Sequence, residues 1–344
     1  MDTTPHQPVL VTGATGFIGL HLVCRLVACG YRVSCLVRAT SRVDELRALG
    51  VELITGHLHD RHCVSRAIAL SKSQVVFHLA GLVRTTSPVS FLRVNEEGVA
   101  IVAAACAEQT TPPVLLLVSS LAAAGPLSDT PRVEGDPPLP VSNYGRSKLA
   151  GERAAARYAD VLPITIVRPC ITIGPGDRGM LEVFRPIAQL GVHIVPGRGD
   201  RRLSLIAVAD LVECIVLAAQ KGERLVHGGS GGGDGGSGVY FAAAEDRSYV
   251  EIGNAIADAL GRQRPRVVRL PERLLPLIGS CGDILSRVRG NPGWISRDKF
   301  SDVLAGSWTC SSEKSRRELG WSPAATLAER LRETALWYRD SGWL

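Results

Sequence analysis

The chain has 344 residues, of which 45% are hydrophobic and 21% are charged, and its formal net charge is +6. This composition is typical of one large globular unit or of two closely joined domains. The basic residues are spread along the chain without aromatic interleaving, so a nucleic-acid partner is not indicated. No apolar run approaches the roughly 20 residues that span a bilayer, and the first residues lack a signal-peptide pattern. The 9 cysteines include no C-x-x-C pair and fit a reducing compartment, so we expect a cytoplasmic protein.

The first half of the chain alternates apolar runs with helical patterns. The predicted strands are residues 9–12, 32–37, 51–54, 75–79, 114–119 and 164–168. The predicted helices between them are residues 17–29, 43–49, 61–71 and 94–108. Because the strands are apolar along nearly their whole length, we expect them to be buried on both faces. The pattern predicts an α/β fold with a Rossmann-type, doubly wound parallel sheet.

The regularity fades after residue 169. We expect a helix near residues 181–190, a strand at 203–208 and a helix over 210–219. Residues 228–238 are nearly all Gly, Ser and Asp, which predicts a flexible loop, either natural or engineered. All 5 tryptophans lie at or after Trp294, which predicts a separate small C-terminal core.

A glycine-rich turn, T-G-A-T-G-F-I-G at residues 12–19, directly follows the first predicted strand. Gly13 permits a sharp turn, Gly16 lets the backbone approach a pyrophosphate, and Gly19 lets the next helix pack closely on the sheet. The N-terminus of that helix presents free N–H groups to an anion. The position behind the first strand indicates a dinucleotide site, and the simpler interpretation is a glycine turn without a ligand.

Tyr144 and Lys148 form a Y-x-x-x-K pattern at the start of a predicted helical segment. Residues four positions apart share a helix face, so the phenol and the ammonium point to the same side. A positive charge about one turn away, together with an oxidised nicotinamide, favours the phenolate and makes proton exchange feasible. Ser119 and Ser120 end the fifth predicted strand, where a hydroxyl can donate to a substrate carbonyl. The simpler interpretations are a solvated helix face and a serine that caps a turn.

With these motifs in this order, the chain resembles the extended short-chain dehydrogenase/reductases of the NAD-dependent epimerase/dehydratase family. The matching motifs lie at residues 12–19, 77–81, 94–98, 119–120, 144–148, 168–169, 174–177 and 314–323. The resemblance implies a nicotinamide dinucleotide cofactor and a small-molecule substrate. It leaves a homodimer as an expectation of the family.

The resemblance also implies roles for individual residues. Tyr144 would be the acid/base, Lys148 would bind the nicotinamide ribose and tune Tyr144, and Ser120, favoured over Ser119, would polarise the substrate. Backbone N–H groups of Phe17 and Ile18 would bind the pyrophosphate, Leu58 would lie near adenine, and Ala80 would line the cleft. The cofactor-binding residues expected are Gly13, Thr15, Gly16, Phe17, Ile18, Gly19, Arg38, Leu58, Ala80, Tyr144 and Lys148.

The end of the second predicted strand bears on the choice of cofactor. An acidic side chain there would bind the ribose 2′-hydroxyl of NAD(H) and repel a 2′-phosphate. This chain has Arg38 and Arg42 and no acid before Asp44. Arg38 can pair with a phosphate and stack on adenine, which favours NADP(H), with NAD(H) left open. The alternative is that Arg38 is a solvated residue at a strand end.

Three departures from the family's pattern narrow the expected function. Residues 121–124, Leu-Ala-Ala-Ala, stand where the family's dehydratases carry an acidic pair, so sugar dehydration is not expected. Residues 203–210 have leucine where many sugar-nucleotide members carry an arginine that helps hold the diphosphate, although Arg201 and Arg202 are adjacent and can compensate. His57 replaces the usual acidic residue of the family's G-D-L motif.

The histidines His57, His59 and His62 suggest a metal site, but beyond Asp60 and Cys63 no set of cysteines or carboxylates completes it. We therefore expect no metal and interpret this stretch as a variant adenine-side loop. The cysteines are expected to be buried small hydrophobic side chains.

Two features of the second half have alternative interpretations. Residues 270–288 have apolar spacing that includes Leu274, Leu275, Leu277 and Ile278, which predicts either a helix that covers an apolar substrate or core packing. Asp210 is either a functional residue or the N-cap of the following helix.

We expect an oxidoreductase that transfers a hydride between NADP(H) and a secondary alcohol or ketone, resembling the dihydroflavonol-reductase and 3β-hydroxysteroid-dehydrogenase branch. One alternative is a sugar-nucleotide epimerase that uses the same Ser120, Tyr144 and Lys148. The other is a non-catalytic dinucleotide-binding scaffold, but the presence of all three residues argues against it. The expected domains are an NAD(P)-binding Rossmann domain, 1–169, to which 203–220 return, and a smaller irregular substrate-binding region, 170–344. The sequence itself does not name the substrate.

Overall fold

The computed structural model describes residues 7–127, 130–197, 201–226, 236–293 and 295–344. Its strands are β1 (Pro8–Thr12), β2 (Arg32–Val37), β3 (Glu52–Thr55), β4 (Val75–His78), β5 (Val114–Val118), β6 (Ile164–Pro169), β7 (Ile171–Ile173), β8 (Val192–Pro196), β9 (Arg202–Ala207), β10 (Val239–Ala242), β11 (Glu245–Ser248) and β12 (Arg266–Leu270). Its helices are α1 (Phe17–Ala28), α2 (Asp44–Ala48), α3 (Arg61–Ser71), α4 (Pro88–Leu92), α5 (Gly98–Ala107), α6 (Leu121–Ala124), α7 (Asn143–Ala156), α8 (Arg178–Leu190), α9 (Val208–Lys221), α10 (Tyr249–Ala259), α11 (Leu275–Arg289), α12 (Arg297–Leu304), α13 (Glu313–Leu319) and α14 (Leu327–Asp340). A π-helical turn (Arg93–Glu97) joins α4 to α5, and a 3₁₀ turn (Glu272–Leu274) precedes α11.

Seven strands form the main sheet in the order β10-β6-β5-β4-β1-β2-β3, and every neighbouring pair is parallel. The chain order reverses between β1 and β4. In sheets of this kind, that reversal opens a crevice at the carboxyl ends of the strands where ligands bind. The predicted α/β fold with a Rossmann-type, doubly wound parallel sheet is confirmed.

Both faces of the main sheet are covered by apolar clusters. Val9 and Val11 of β1 belong to one cluster, which includes side chains of α1 and α9, whereas Leu10 belongs to the other, with side chains of α3 and α5. This alternation follows from the strand geometry, in which successive side chains point to opposite faces. It also explains why these strands are apolar throughout.

The second half of the chain builds smaller sheets beside the main one. Strands β11, β9 and β7 form a three-stranded sheet, and β8 pairs with β12 in parallel. Residues 203–207 therefore lie in this second sheet, whereas α9 packs against β5 and β6 of the main sheet. Strand β10 forms an edge of the main sheet next to β6. The domain limits at residues 169 and 170 stay a prediction, and residues 228–235 of the expected flexible loop lie outside the described residues.

Two expectations for the second half are wrong. Trp308 and Trp321 are buried in the same cluster as Val9 of β1, so they do not form a separate core. Asp210 is not an N-cap: Ala207 holds that position, and the Asp210 carboxylate accepts from the Ala324 N–H at 2.9 Å.

The expectation that the cysteines are all buried is only partly correct. All 9 are free, but Cys24 and Cys281 are exposed. No helix of the described ranges is both long and apolar enough to cross a membrane.

Candidate active site

The glycine turn between β1 and α1 depends on the absence of side chains. Gly13 has φ +76°, and a Cβ there would lie 2.5 Å from the Ala80 nitrogen. A Cβ on Gly19 would lie 2.1 Å from the Gly13 oxygen. The turn therefore packs directly on the residues that follow β4, and α1 begins as close to the turn as backbone atoms permit.

The start of α1 fits the pyrophosphate of a dinucleotide. Gly16 is the N-cap, with φ −83° and ψ 168°, and as a glycine it offers no side chain to the first N–H groups of the helix. Thr15 and Gly16 are exposed, and Phe17 and Ile18 are half-buried. Free N–H groups at a helix N-terminus are a general anion site, and the crevice beside β1 and β4 gives this one the position expected for a dinucleotide.

The expected adenine-side residues are distributed along this edge. Arg38 is exposed directly after β2, and Leu58 is half-buried beside Gly98, where an added Cβ would lie 2.8 Å from its Cδ2. The Ala80 N–H points to Thr12 Oγ1 at 3.5 Å. In the part of the chain that the structure describes, no group of three or more His, Cys, Asp or Glu side chains is arranged to hold a metal.

The structure brings Ser120 and Tyr144 together through a close contact of two helices. Ser120 is the N-cap of α6, and its Oγ accepts from the Ala122 N–H at 3.1 Å. A Cβ on Gly145 would lie 2.3 Å from the Ala122 oxygen, so the start of α7 lies directly against α6. Ser120 lies near enough to the Tyr144 phenol to lower the pKa of that group. Its hydroxyl hydrogen remains available because Oγ is the acceptor at the cap.

Burial sets the protonation of Tyr144 and Lys148. It raises the pKa of Tyr144 to about 12. The neighbouring Ser120 hydroxyl acts in the opposite direction, and the Asp302 carboxylate adds a smaller rise. It lowers the pKa of Lys148 to about 8, while the Glu152 carboxylate acts in the opposite direction. The Lys148 ammonium donates to the Val118 oxygen at 2.8 Å, at the carboxyl end of β5. Both side chains therefore belong to the edge of the sheet where the crevice lies.

Ser119 has a different environment from Ser120. It is buried and its hydroxyl donates to Glu152, which also pairs with Arg168 at 2.6 Å. Glu152 and Arg168 are both buried, and this pair ties α7 to β6. Ser119 is thus committed to an internal contact, which agrees with the preference for Ser120.

Asn95 is a site residue for which the sequence analysis proposed no role. It lies in the π-helical turn, and its amide nitrogen donates to Ser147 Oγ at 2.9 Å. A Cβ on Gly81 would lie 3.1 Å from Asn95 Oδ1 and 3.8 Å from Lys148 Nζ, so Asn95 and Lys148 flank the same backbone segment. Its place in a matching motif, residues 94–98, was the available signal.

His78 at the end of β4 was also not predicted as a site residue. Its Nδ1 lies 2.7 Å from Thr12 Oγ1, and its buried Nε2 has no hydrogen-bond partner among the described residues. Burial and, secondarily, the charge of Lys148 lower the pKa of His78 to about 3. The imidazole is therefore neutral at physiological pH and adds no charge to the crevice.

The C-terminal half contributes a cap to the helix that carries Tyr144. The Asp298 carboxylate on α12 accepts from the N–H groups of Asn143 at 2.7 Å and Tyr144 at 3.2 Å. Asp302, one turn later, is buried, and burial raises the pKa of its carboxyl group. Because α12 is 154 residues from Tyr144 in the chain, no local pattern signals this contact.

Comparisons with known proteins agree with this geometry. A model of the NAD dependent epimerase/dehydratase family matches residues 9–230. A ceramide reductase of Caulobacter vibrioides (strain NA1000 / CB15N) is 33% identical over 346 residues, 100% of this chain and 98% of that protein. A UDP-glucose 4-epimerase of Mycolicibacterium smegmatis is 27% identical over 348 residues, 96% of this chain and 98% of that protein. The structure of MoeE5 in complex with UDP-glucose and NAD has a TM-score of 0.72 at 25% identity, covering 97% of this chain and 99% of that chain. The protein is an NAD(P)-dependent enzyme and belongs to the NAD dependent epimerase/dehydratase family.

Proposed function

We propose that the protein reduces a ketone to a secondary alcohol with NADPH, and that Ser120, Tyr144 and Lys148 carry the reaction. The observation that supports this most directly is the contact of the Lys148 ammonium with the carboxyl end of β5, next to α6, which Ser120 caps and on which the start of α7 packs. The bound dinucleotide would supply the hydride. The protein would supply a proton, an oriented hydrogen bond and the shape of the crevice.

Each residue has a separate task in this proposal. The Tyr144 hydroxyl donates its proton to the carbonyl oxygen of the substrate as the negative charge develops. The Ser120 hydroxyl donates a hydrogen bond to the same oxygen. The Lys148 ammonium holds the ribose hydroxyls of the nucleotide and lowers the free energy of the phenolate that remains on Tyr144. Asn95 and Glu152 position Lys148 and its helix.

The protonation state of Tyr144 suits the donation of a proton to a ketone. Its pKa of about 12 leaves the phenol protonated at neutral pH, so the side chain is ready to donate a proton before the nucleotide binds. The reverse reaction begins with a phenolate, which needs the positive charges of Lys148 and of an oxidised nicotinamide.

The preference for NADPH depends on Arg38. Its side chain is exposed at the end of β2, and the acidic residue that would repel a 2′-phosphate does not occur there. A guanidinium can bind such a phosphate through two hydrogen bonds. A ceramide-type lipid ketone is the first substrate to test, because the related protein of Caulobacter vibrioides is named a ceramide reductase.

The second candidate is a sugar-nucleotide epimerase, favoured by the related UDP-glucose 4-epimerase and by the UDP-glucose bound in MoeE5. Two arginines, Arg201 and Arg202, were expected to compensate for the arginine that helps hold the diphosphate in other members of the family. Both make contacts with other residues of the protein. Arg201 pairs with Glu272 at 2.7 Å, and Arg202 donates to the Asp246 oxygen at 2.9 Å. Leu203 and Leu205 are buried, so neither replaces an arginine in a polar pocket. These contacts argue for the reductase.

The test begins with the purified protein, from which any retained nucleotide is identified by mass. A reductase consumes added NADPH, in preference to NADH, when a ketone is supplied. An epimerase retains its nucleotide and interconverts UDP-sugars without net consumption. Turnover of UDP-glucose with no NADPH consumption would replace our proposal with the second candidate, and binding without any turnover would indicate a scaffold.

The variants Tyr144→Phe and Ser120→Ala assign the roles. We expect Tyr144→Phe to lower kcat roughly a hundredfold to ten-thousandfold and Ser120→Ala to lower it roughly a hundredfold. Tyr158→Phe is the matched control, since Tyr158 is half-buried just after the same helix, and it should leave kcat unchanged. Equal rates for Tyr144→Phe and Tyr158→Phe would remove Tyr144 from the mechanism. A homodimer stays an expectation of the family resemblance, and a cytoplasmic location stays an expectation from the cysteine pattern.

A further inference from the structure

The outward side of α11 is apolar. The large exposed apolar side chains of α11 and of its N-cap residue, which we call the α11 patch, are Leu274 (41% exposed), Leu277 (64%), Ile284 (59%), Leu285 (47%) and Val288 (80%). Their spacings of three, four and seven positions place them on one helix face. A surface helix of a globular protein ordinarily turns such a face toward the core. Core packing, one of the two interpretations of this helix from the sequence, holds for Leu275, which is buried, and in part for Ile278, which is half-buried. It is wrong for the other large apolar side chains.

Close packing of two glycines fixes this orientation. A Cβ on Gly279 would lie 2.9 Å from the Arg297 nitrogen, and a Cβ on Gly282 would lie 2.2 Å from the Ile295 oxygen. The glycine side of α11 is thus held against the segment that leads into α12. The α11 patch faces outward because Gly279 and Gly282 lie on the packed side of the helix, where larger side chains at these two positions would have no room.

Further apolar side chains extend this surface. Arg84 donates to the Pro292 oxygen at 3.3 Å and so brings the loop after β4 beside the residues that follow α11. Val83 in that loop is 61% exposed, and Ile295 is 52% exposed. These segments add exposed apolar side chains to the region of the α11 patch, and a group of such side chains needs an explanation that single scattered ones do not.

The segment that contains the α11 patch carries an excess of positive charge. Residues 264–297 contain seven arginines and two carboxylates, a net charge of +5 out of the +6 of the whole chain. Both carboxylates are engaged: Glu272 pairs with Arg201 at 2.7 Å, and Asp283 accepts from the Arg297 N–H at 3.3 Å. The exposed arginines of this segment are Arg264, Arg266, Arg269, Arg273, Arg287, Arg289 and Arg297.

We propose that the α11 patch and its arginines form a docking surface for an anionic lipid bilayer. A helix with an apolar face and flanking arginines lies in the plane of a membrane interface, with its apolar side chains in the acyl boundary and its guanidiniums at the anionic headgroups. A second copy of this chain fits less well. A twofold interface would place each patch on itself and bring the arginines of the two copies close together.

The docking surface is linked to the active site through α12. The segment that packs on Gly279 and Gly282 continues into this helix, and its Asp298 caps the helix that carries Tyr144. A bilayer bound at α11 would therefore lie on the side of the molecule that holds the start of α7. Docking itself does not depend on the proposed reaction and can be tested without a substrate.

The experiment is co-sedimentation of the full chain with vesicles of phosphatidylcholine alone and of phosphatidylcholine with phosphatidylglycerol in equal parts. We expect binding to the anionic vesicles and little binding to the neutral ones. Binding should weaken as salt is raised, because the Debye length falls from about 10 Å at 0.1 M to about 3 Å at 1 M. No sedimentation with anionic vesicles, or equal sedimentation with both, would overturn the proposal without any variant being made.

Variants separate the apolar and the ionic contributions. We expect Leu277→Asp with Val288→Asp, and Arg287→Glu with Arg289→Glu, each to weaken vesicle binding at least roughly tenfold. Leu70→Asp is the matched control: Leu70 is 62% exposed on α3, and its variant should bind as the wild type does. Unfolding curves and the binding of NADPH check that the variants fold. If Leu277→Asp with Val288→Asp halves the mass in solution and leaves vesicle binding unchanged, the surface belongs to a second copy and the proposal fails.

Discussion

The pKa of Tyr144 is raised to about 12 and the pKa of Lys148 is lowered to about 8, both chiefly by burial. At neutral pH the phenol is protonated and most of the lysine is still charged. The ammonium loses its proton as the pH rises through about 8, well below the usual value of about 10.4. The charge that we propose to hold the ribose and to favour the phenolate is therefore lost within a pH range in which enzyme rates can be measured.

We predict that kcat/KM for NADPH falls as the pH rises through about 8. A charge-assisted hydrogen bond to the nucleotide then becomes a neutral one, which should cost roughly fivefold to tenfold in kcat/KM. Lys148→Arg keeps the positive charge above pH 8 and should move this fall to higher pH, even if its overall rate is lower. Initial rates with limiting NADPH measure the profile, since this parameter reports the free enzyme. A fall at the same pH in Lys148→Arg would assign it to another group.

At the residue scale, the sequence proposes site residues where side chains lie in local motifs. Ser120, Tyr144 and Lys148 have recognisable neighbours in the chain, and the structure packs the start of α7, which carries Tyr144, on α6, which Ser120 caps. His78 lies in a matching motif, residues 77–81, that gave it no role, and Asp298 has no local signal. Their importance depends on contacts with Thr12 and with the start of α7, which exist only after the sheet and α12 have assembled.

At the scale of elements, the strands of the first half were predictable because each is a continuous apolar run. Strands β11 and β12 of the second half do not have that signal. Strand β11 reads Glu-Asp-Arg-Ser, and β12 is a mostly exposed Arg-Val-Val-Arg-Leu. Because these two strands pair outside the main sheet, they need no apolar face. They therefore lack the alternation of apolar and polar residues that indicates a strand. Helix α11 shows the opposite case. Its apolar spacing predicts burial as one interpretation, but most of its large apolar side chains face outward.

The turn between β1 and α1 permits a prediction with a well-matched control. Gly13 has φ +76° and Gly50 has φ +70°, but a Cβ on Gly13 would overlap Ala80 whereas a Cβ on Gly50 meets nothing within 4 Å. Gly50→Ala should therefore cost only about 1 kcal/mol of stability, the cost of a left-handed backbone at alanine. Gly13→Ala carries the same cost and also displaces the loop after β4.

We expect Gly13→Ala to lower the free energy of unfolding by a further 1–3 kcal/mol or so and to weaken NADPH binding at least tenfold, while Gly50→Ala binds normally. Urea unfolding and fluorescence titration measure the two effects. If both variants bind NADPH equally well, the close packing of Gly13 on Ala80 is not required for binding of the nucleotide.

At the scale of the whole molecule, the C-terminal helices are joined to the main sheet by a buried polar contact. The Asp210 carboxylate on α9 pairs with Arg330 of α14 at 2.9 Å and accepts from the Ala324 N–H, while its backbone oxygen accepts from Trp321 Nε1 at 2.9 Å. This explains why Trp321 joins the main cluster. The aromatic composition of the C-terminal region indicated a core there, but its connection to α9 spans more than 100 residues.

Asp210→Asn tests whether this contact stabilises the whole fold. Asparagine keeps an oxygen for the Ala324 N–H but leaves the half-buried Arg330 guanidinium with Glu333 as its remaining carboxylate partner. Removing one member of a buried ion pair typically costs about 3–5 kcal/mol, and the remaining Glu333 contact should reduce this to about 2–3 kcal/mol. The exposed pair of Asp44 and Arg47 provides the control, and Asp44→Asn should cost less than about 1 kcal/mol. Urea midpoints compare the two, and hydrogen exchange in α14 should increase only for Asp210→Asn. Equal midpoints would mean that apolar packing of Trp321, and not the ion pair, holds the C-terminal helices in place.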